Sequence, residues 1–319
     1  MAAPPTRRPI LFLLGLVLIL AALPVGWFVF LREPPAPPPP PPPPPVARPV
    51  EKKPVQLEVG ELTGTVEVRH GGGSWEPARP GVALHPSDAV RTLEGGSVVL
   101  LGNESVEVHL EPSTEVSVEE LTDSLSRILL GNGMATAMVR PGQRHTFEVR
   151  AAGSDAVART GAGTFTMSNN GAGTVAVGTR EGEVTLLGQG KVVIVRAGQQ
   201  SVIRPGQAPT EPAPVPGSLL LKVDWPAERE RRKRELVVTG RTDPGSRVAV
   251  EGVFLTPDAE GRFTRKVVLQ EGRNTVSVRA VGVGGARQEE KHDVVVDTTP
   301  PAMRPDTQDI WKSAKGGSP

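Results

Sequence analysis

Residues 161–187 read GAGTFTMSNNGAGTVAVGTREGEVTLL. Gly161, Ala162, Gly163 and Thr164 recur ten residues later as Gly171, Ala172, Gly173 and Thr174, and each copy runs into β-branched and aromatic residues. That is a rhythm of turn and strand, with glycine supplying backbone freedom at the turns. A phosphate-cradling glycine loop would need a helix N-terminus behind it to present free N–H groups, and Phe165, Thr166 and Met167 read as strand instead.

The same grammar extends outward over residues 57–205. Short period-2 runs at 64–69, 97–101, 105–110, 114–118, 126–130, 135–139, 145–150, 164–168, 174–177, 183–187 and 191–196 are separated by Gly, Asn, Asp and Pro. Half-buried antiparallel strands joined by tight turns require this pattern. The one helix-like window, 119–130, holds the cluster Thr122, Asp123, Ser124 and is followed by Asn132 and Gly133, which fits a hairpin turn better. So many short strands predict a sandwich, a barrel or a solenoid.

A second strand-rich stretch occupies 219–300, with expected strands at 218–223, 236–241, 247–250, 261–268, 275–280 and 290–297. Turn chemistry separates them: Asp243, Pro244 and Gly245; residues 258–261; residues 271–274. Six or seven strands in about 80 residues is the arithmetic of an immunoglobulin-like sandwich. Residues 207–218, rich in proline, read as a linker between the two β bodies, and 301–319 as a disordered tail.

Ahead of both lies a different physics. Residues 10–31 carry no charge and follow Arg7 and Arg8. About 20 apolar residues at 1.5 Å each span a bilayer core of roughly 30 Å. A transmembrane helix is therefore expected, with Pro24 perturbing its outer half and Trp27 and Phe28 at the interface. A cleaved signal sequence is the alternative; Ala21 and Ala22 offer a poor cleavage site, and the apolar run continues to Leu31. Arg7 and Arg8 place residues 1–9 in the cytoplasm by the positive-inside tendency and the bulk of the chain on the other side. Residues 32–56 form a proline-rich stalk whose tract from Pro34 to Pro45 favours polyproline II and spans roughly 35 to 40 Å.

The whole chain is expected to be mainly β. Its 36 Gly, 34 Pro, absence of Tyr and 3% aromatic content agree, and a net charge of +1 argues against nucleic acid as a partner. With no Cys, disulfide scaffolds and lipidated cysteine anchors are excluded.

Trp75, Gly81, Asp88, Arg91 and Thr92, then residues 97–100 and 113–115, then Thr160, Gly161, Thr164, Phe165, Val175, Val177, Glu181, Gly182, Val184, Ala197, Gly198 and Gln199 form an ordered series that resembles the FecR domain of bacterial envelope proteins. The likeness covers about 57–203. It implies an exported module of the kind that, in founding members, relays outer-membrane transporter occupancy to a sigma factor. That relay needs a cytoplasmic domain, and residues 1–9 are too short to bury a core, so the sigma-factor role is not expected here. Gly240, Thr242, Pro244, Gly245, Val248, Val250, Gly261, Phe263, Leu269, Gly272, Asn274, Val276, Val278, Val296, Asp297, Thr299 and Pro300 likewise resemble the immunoglobulin-like domains appended to bacterial surface proteins, modules that usually act as spacers or adhesion units.

Catalysis finds little support. His70, His85, His109, His145 and His292 stand apart without metal-ligand spacing, and Ser74, Ser97 and Ser201 lack a nucleophile elbow. Glu119 and Glu120, or Glu289 and Glu290, as strand neighbours would point to opposite faces. No cofactor or metal is expected. The one polar cluster with a plausible task is Arg231, Arg232, Lys233 and Arg234, which could attract an anionic envelope polymer; a self-compensated solvated linker is the plainer reading. The sequence thus predicts an inner-membrane-anchored, periplasmic, non-catalytic binding or scaffold protein, its partners being the membrane and either envelope proteins or cell-wall polymer. The alternatives are a signalling regulator acting through a membrane partner and a glycan-active enzyme.

Overall fold

The computed structural model describes residues 8–31, 56–102, 105–142, 145–226, 230–231 and 233–299. The stalk tract, the tail and Arg232 lie outside them. The chain divides into two compact units, Met1–Lys52 and Lys53–Pro319.

In the first unit, helix α1 (Arg8–Gly26) continues as a π-helical turn, Trp27–Leu31. Pro24 lies inside α1, where it supplies no N–H to the helical ladder. A widened turn follows directly, as expected where that ladder has been interrupted. The stretch Phe12–Phe30 has a mean hydropathy of 2.5 and is long and apolar enough to cross a membrane.

The second unit contains two β-sandwiches. The first is built, in chain order, from β1 (Leu57–Thr63), β2 (Val66–Arg69), β3 (Glu76–Pro77), β4 (Ala83–Leu84), β5 (Ala89–Thr92), β6 (Ser97–Gly102), β7 (Val106–Leu110), β8 (Glu115–Leu121), β9 (Leu125–Val139), β10 (Thr146–Ala151), β11 (Val157–Thr160), β12 (Gly163–Asn169), β13 (Val175–Gly188), β14 (Lys191–Arg196), β15 (Gln199–Ile203) and β16 (Ala213–Pro214). One layer pairs in the order β4-β1-β6-β7-β9-β12-β13-β15-β16. The other runs β3-β2-β5-β8-β9-β10-β11-β13-β14, with β9 and β10 parallel.

Strands β9 and β13 belong to both layers, where the period-2 runs predict separate strands at 126–130 and 135–139, and at 174–177 and 183–187. The short-run signal was correct, but the glycines between the runs bend a continuous strand instead of ending it. At Gly133 the backbone has φ +120, and a Cβ there would sit 2.3 Å from Thr114 Oγ1; β13 changes layer at Gly182. The expected hairpin at 122–124 is present: Thr122 N–H donates to Leu125 O at 2.8 Å, joining β8 to β9.

Alternation along each strand sends Leu100, Leu110, Ile128, Phe147, Phe165, Met167 and Leu186 into the space between the layers, where they are fully buried. Phe147 and Phe165 meet with centroids 6.5 Å apart. Asn169, also buried, donates to the carbonyls of Leu130, Gly131 and Ala152 at 2.8 to 3.0 Å and so ties the end of β12 to the bend in β9.

The connector expected at 207–218 is not a free spacer. Ser201 Oγ donates to Thr210 O, Thr210 Oγ1 accepts from Val202 N–H, and β16 pairs with β15, so the proline-rich segment is laid along the first sandwich.

The second sandwich has β17 (Leu221–Asp224), β18 (Glu230–Arg231), β19 (Glu235–Thr242), β20 (Arg247–Val250), β21 (Val253–Leu255), β22 (Arg262–Val268), β23 (Gly272–Val281) and β24 (Arg287–Val296). Its sheets are β17-β19-β22 and β18-β24-β23-β20-β21. Three strands in one sheet and five in the other make the two layers of a sandwich. Leu236, Val238, Val248, Phe263, Val278 and Val294 fill its core. Trp225 covers the first half of β24, stacking on His292 at 4.8 Å and donating to Glu290 Oε2 at 3.0 Å.

Gly133→Ala combines a forced left-handed backbone with a steric clash, so we expect urea denaturation to report a loss of about 3 kcal/mol. Gly190→Ala, at φ +69 but with nothing within 4 Å of a built Cβ, should cost only about 1 kcal/mol.

Candidate functional site

Among the described residues an extended polar construction joins the two sandwiches. It starts at the turn Asp243, Pro244, Gly245, closed by Ser246 N–H donating to Asp243 O at 3.1 Å. Gly245 has φ +81, and a Cβ there would overlap Ala176 of β13 at 2.3 Å, so only glycine allows the approach. Its carbonyl accepts a short hydrogen bond from the buried Ser168 hydroxyl.

Two residues on, Arg247 opens β20 and turns its side chain into the first sandwich, leaving the residue 8% exposed. Nη1 donates to Pro112 O at 2.6 Å and to Thr114 Oγ1 at 3.3 Å, and Nη2 donates to Ser113 O at 3.1 Å. The guanidinium carbon lies 4.6 Å from the centre of the Phe254 ring. Burial pushes the Arg247 pKa down to about 10, partly offset by attraction to Glu111, and the group remains cationic at neutral pH.

The receiving loop is held from behind. Thr92 Oγ1 donates to Glu111 O at 2.7 Å and accepts from Thr114 N–H at 2.9 Å, Thr114 Oγ1 accepts from Met134 N–H at 3.1 Å, and Ser113 adopts φ +51. Around this polar centre Val283 packs with Met134 and Ala176, and Asn170 Nδ2 donates to Pro257 O at 3.2 Å. Two clefts open along the seam, one beside Val215, Pro244 and Val283, the other beside Asn170, Arg247 and Pro257; each has room for little more than a water molecule.

Three other clusters were assembled by the fold. On the outer face of the first sandwich Glu148 is nearly buried between two arginines: Arg127 Nε reaches Oε1 at 2.5 Å and Arg159 Nη2 reaches Oε2 at 2.8 Å. Glu119 and Glu120 lie on this same face. A register shift between Val118 and Glu120 overrides the alternation that would have separated them, and they pair with Arg150 at 3.1 Å and Arg127 at 2.8 Å. Glu289 and Glu290 do diverge, toward Arg279 and toward Trp225. Burial opposes ionisation of Glu148, but hydrogen bonds and attraction from Arg127 and Arg159 outweigh it and hold its carboxyl below the usual range.

His70 and His85, which stand apart in sequence, converge on the buried Asp88 at 3.0 and 3.7 Å. Asp88 also accepts the N–H groups of Gly71 and His85, each at 2.9 Å; these bonds and His70 outweigh burial and lower its pKa. Nearby, Trp75 lies under the guanidinium groups of Arg69 and Arg91, at 4.5 and 4.2 Å. These contacts pin the 70–75 loop. His109 pairs with Glu107, and His145 contacts Ser126 Oγ at 3.0 Å. Among the described residues no group of three or more His, Cys, Asp or Glu is arranged to hold a metal.

Of the basic run, Arg231 lies on β18 beside β24, Lys233 is exposed, Arg234 Nη2 is engaged by Glu271 at 3.1 Å, and Arg232 lies outside the described residues. The signal missed in sequence was Arg247, an arginine directly after a glycine turn in an otherwise apolar strand.

No protein-family model matches the chain, and no curated protein matches it. Among solved structures, two of an anti-sigma factor candidate from Parabacteroides distasonis are similar at 16% identity and TM-score 0.36, covering 42% and 46% of this chain and 66% and 68% of theirs. The chain therefore spans just under two thirds of the first of them. The fibronectin(III)-like modules of Clostridium thermocellum CbhA are similar at 15% identity and TM-score 0.22, over 57% of this chain and 94% of that one. At these values the fold rests on the strand pairing itself.

Two outcomes follow. Arg247→Ala leaves the carbonyls of Pro112 and Ser113 unpaired, and should cost about 2 to 4 kcal/mol and split one calorimetric transition into two. Because Glu148 has a lowered folded-state pKa, its stabilisation is present above about pH 4.3, the unfolded value, and is lost as pH falls through the folded one. The stability gap between the parent chain and Glu148→Gln should be flat from pH 6 to 8 and close in acid, as read by denaturation at each pH.

Proposed function

We propose that this chain is a membrane-tethered envelope protein whose two β-sandwiches act as one rigid, non-catalytic binding body on the far side of the cytoplasmic membrane. The observation that carries this reading is the seam at Arg247. A chain needing only two independent modules on a string would not retain a buried guanidinium satisfied by another module's carbonyls, because such a group is costly whenever the modules part. The apolar helix supports the tether, and Arg7 and Arg8 support a cytoplasmic N-terminus. The two water-sized clefts at the seam favour contact across a surface over enclosure of a substrate.

A rigid body also favours a second reading, that of a FecR-like regulator. Displacement by an envelope partner would move both sandwiches together and pass as a single motion into the tether, to be read by a protein beside the helix. Replacing residues 1–31 with an unrelated single-pass anchor separates the two: binding survives under both readings, and a signalling output survives only if the native helix carries nothing.

The cysteine-free background makes the topology test clean. With Ala3→Cys in one variant and Ser74→Cys in another, an impermeant thiol reagent should label only the Ser74 variant once the outer membrane is opened. Labelling of Ala3→Cys alone contradicts the orientation. Release of product from peptidoglycan fragments by the purified full-length chain would contradict the non-catalytic reading.

A further inference from the structure

Among its described strands the first sandwich has four sheet edges, and three are blunted. β3 and β16 are two residues long and each contains a proline, Pro77 and Pro214; β4 is also two residues long. Short strands and proline are the usual means of preventing unwanted pairing at an edge. β14 has neither. It runs six residues as Lys-Val-Val-Ile-Val-Arg, and its partner among the described strands is β13 on one side. Arg196 N–H turns away from β13 to Gln199 Oε1 at 3.0 Å, so the two-residue period aims the amides of Ile194 and Val192 outward as well. The side chains of those residues are also uncovered, Val192 at 56% and Ile194 at 42% exposure.

We infer that β14 is a docking edge for a second copy of this chain, through antiparallel pairing of β14 with its counterpart about a two-fold axis at Val193. The strand is self-complementary in that register. Val192 and Ile194 face Ile194 and Val192 of the other copy as hydrogen-bonded pairs, and the two sheets become one. The charges at the strand ends avoid one another: Arg196 falls opposite Gly190, around which nothing lies within 4 Å of a built Cβ, and Lys191, already paired with Glu211 at 2.5 Å, falls opposite Val195. One strand edge buries far less than the roughly 1,200 Å² of a stable interface, so the pairing is weak between free molecules. Chains held in one membrane meet at a much higher effective concentration, which favours it there.

The test uses the full-length chain in vesicles under mild oxidation. In the stated register Val192 and Ile194 of opposite copies come within disulfide range of about 5.5 Å, whereas two Val192 or two Ile194 positions stay beyond about 7 Å. A mixture of Val192→Cys and Ile194→Cys chains should therefore link several times faster than either alone and faster than Val237→Cys, an exposed position on β19. Adding Ile194→Pro to the Val192→Cys chain removes an outward amide that β13 does not use, and should return the rate to the Val237→Cys background with the far-UV spectrum unchanged. A mixture no faster than Val237→Cys overturns the inference, as does equally fast linkage of either single variant with itself. Capture in cells of a different protein in place of a second copy also overturns it.

Discussion

A guanidinium removed from water between two β bodies must be met by acceptors that stay still, and much of this chain's architecture holds those acceptors in place. Arg247 ends on Pro112, Ser113 and Thr114. Their loop is fixed by Thr92 and by Met134, and Met134 follows the glycine that lets β9 pass from one layer to the other. The bend in β9, the loop after β7 and the first residue of β20 are thus one mechanical element. Among the described residues no carboxylate lies at hydrogen-bonding distance from the guanidinium, and the geometry of several dipoles substitutes for an ion pair.

The outer surfaces follow a different rule. On the β8–β9–β10–β11 face charges alternate across the strands, Glu120, Arg127, Glu148 and Arg159, each satisfied by its neighbour. A face of this kind is soluble and self-contained. Toward β14 the ladder gives way to Thr185 and Ile194, and then to an open edge. The change from self-satisfied to unsatisfied surface within one sheet marks where contact with another molecule would gain most.

What the sequence disclosed, and what it withheld, follows from the range of the interactions. Period-2 runs and turn residues reveal strands because both signals are local, and the anchor is visible from length and hydropathy alone. The bends at Gly133 and Gly182 read as turns, because a glycine that ends a strand and one that redirects it look alike until the partner strands are known. The 207–218 segment reads only as a linker, because proline content says nothing of Thr210 docking on Ser201 and Val202. His70 lies 15 and 18 residues before His85 and Asp88 and meets them only through the register of β2 on β5, and Arg247 meets its three acceptors only where one sandwich packs on the other. The run 231–234 drew attention by being contiguous in sequence, whereas the sites that the fold assembles are contiguous only in space.

Everything here depends on the two sandwiches moving as one body. Because the chain lacks cysteine, spin labels can be placed uniquely at Leu101 on the first sandwich and Val237 on the second, both exposed, and the distance between them measured by pulsed dipolar spectroscopy. A single narrow distribution that broadens on Arg247→Ala is the predicted result; a broad distribution in the parent chain, unchanged by that substitution, would contradict it.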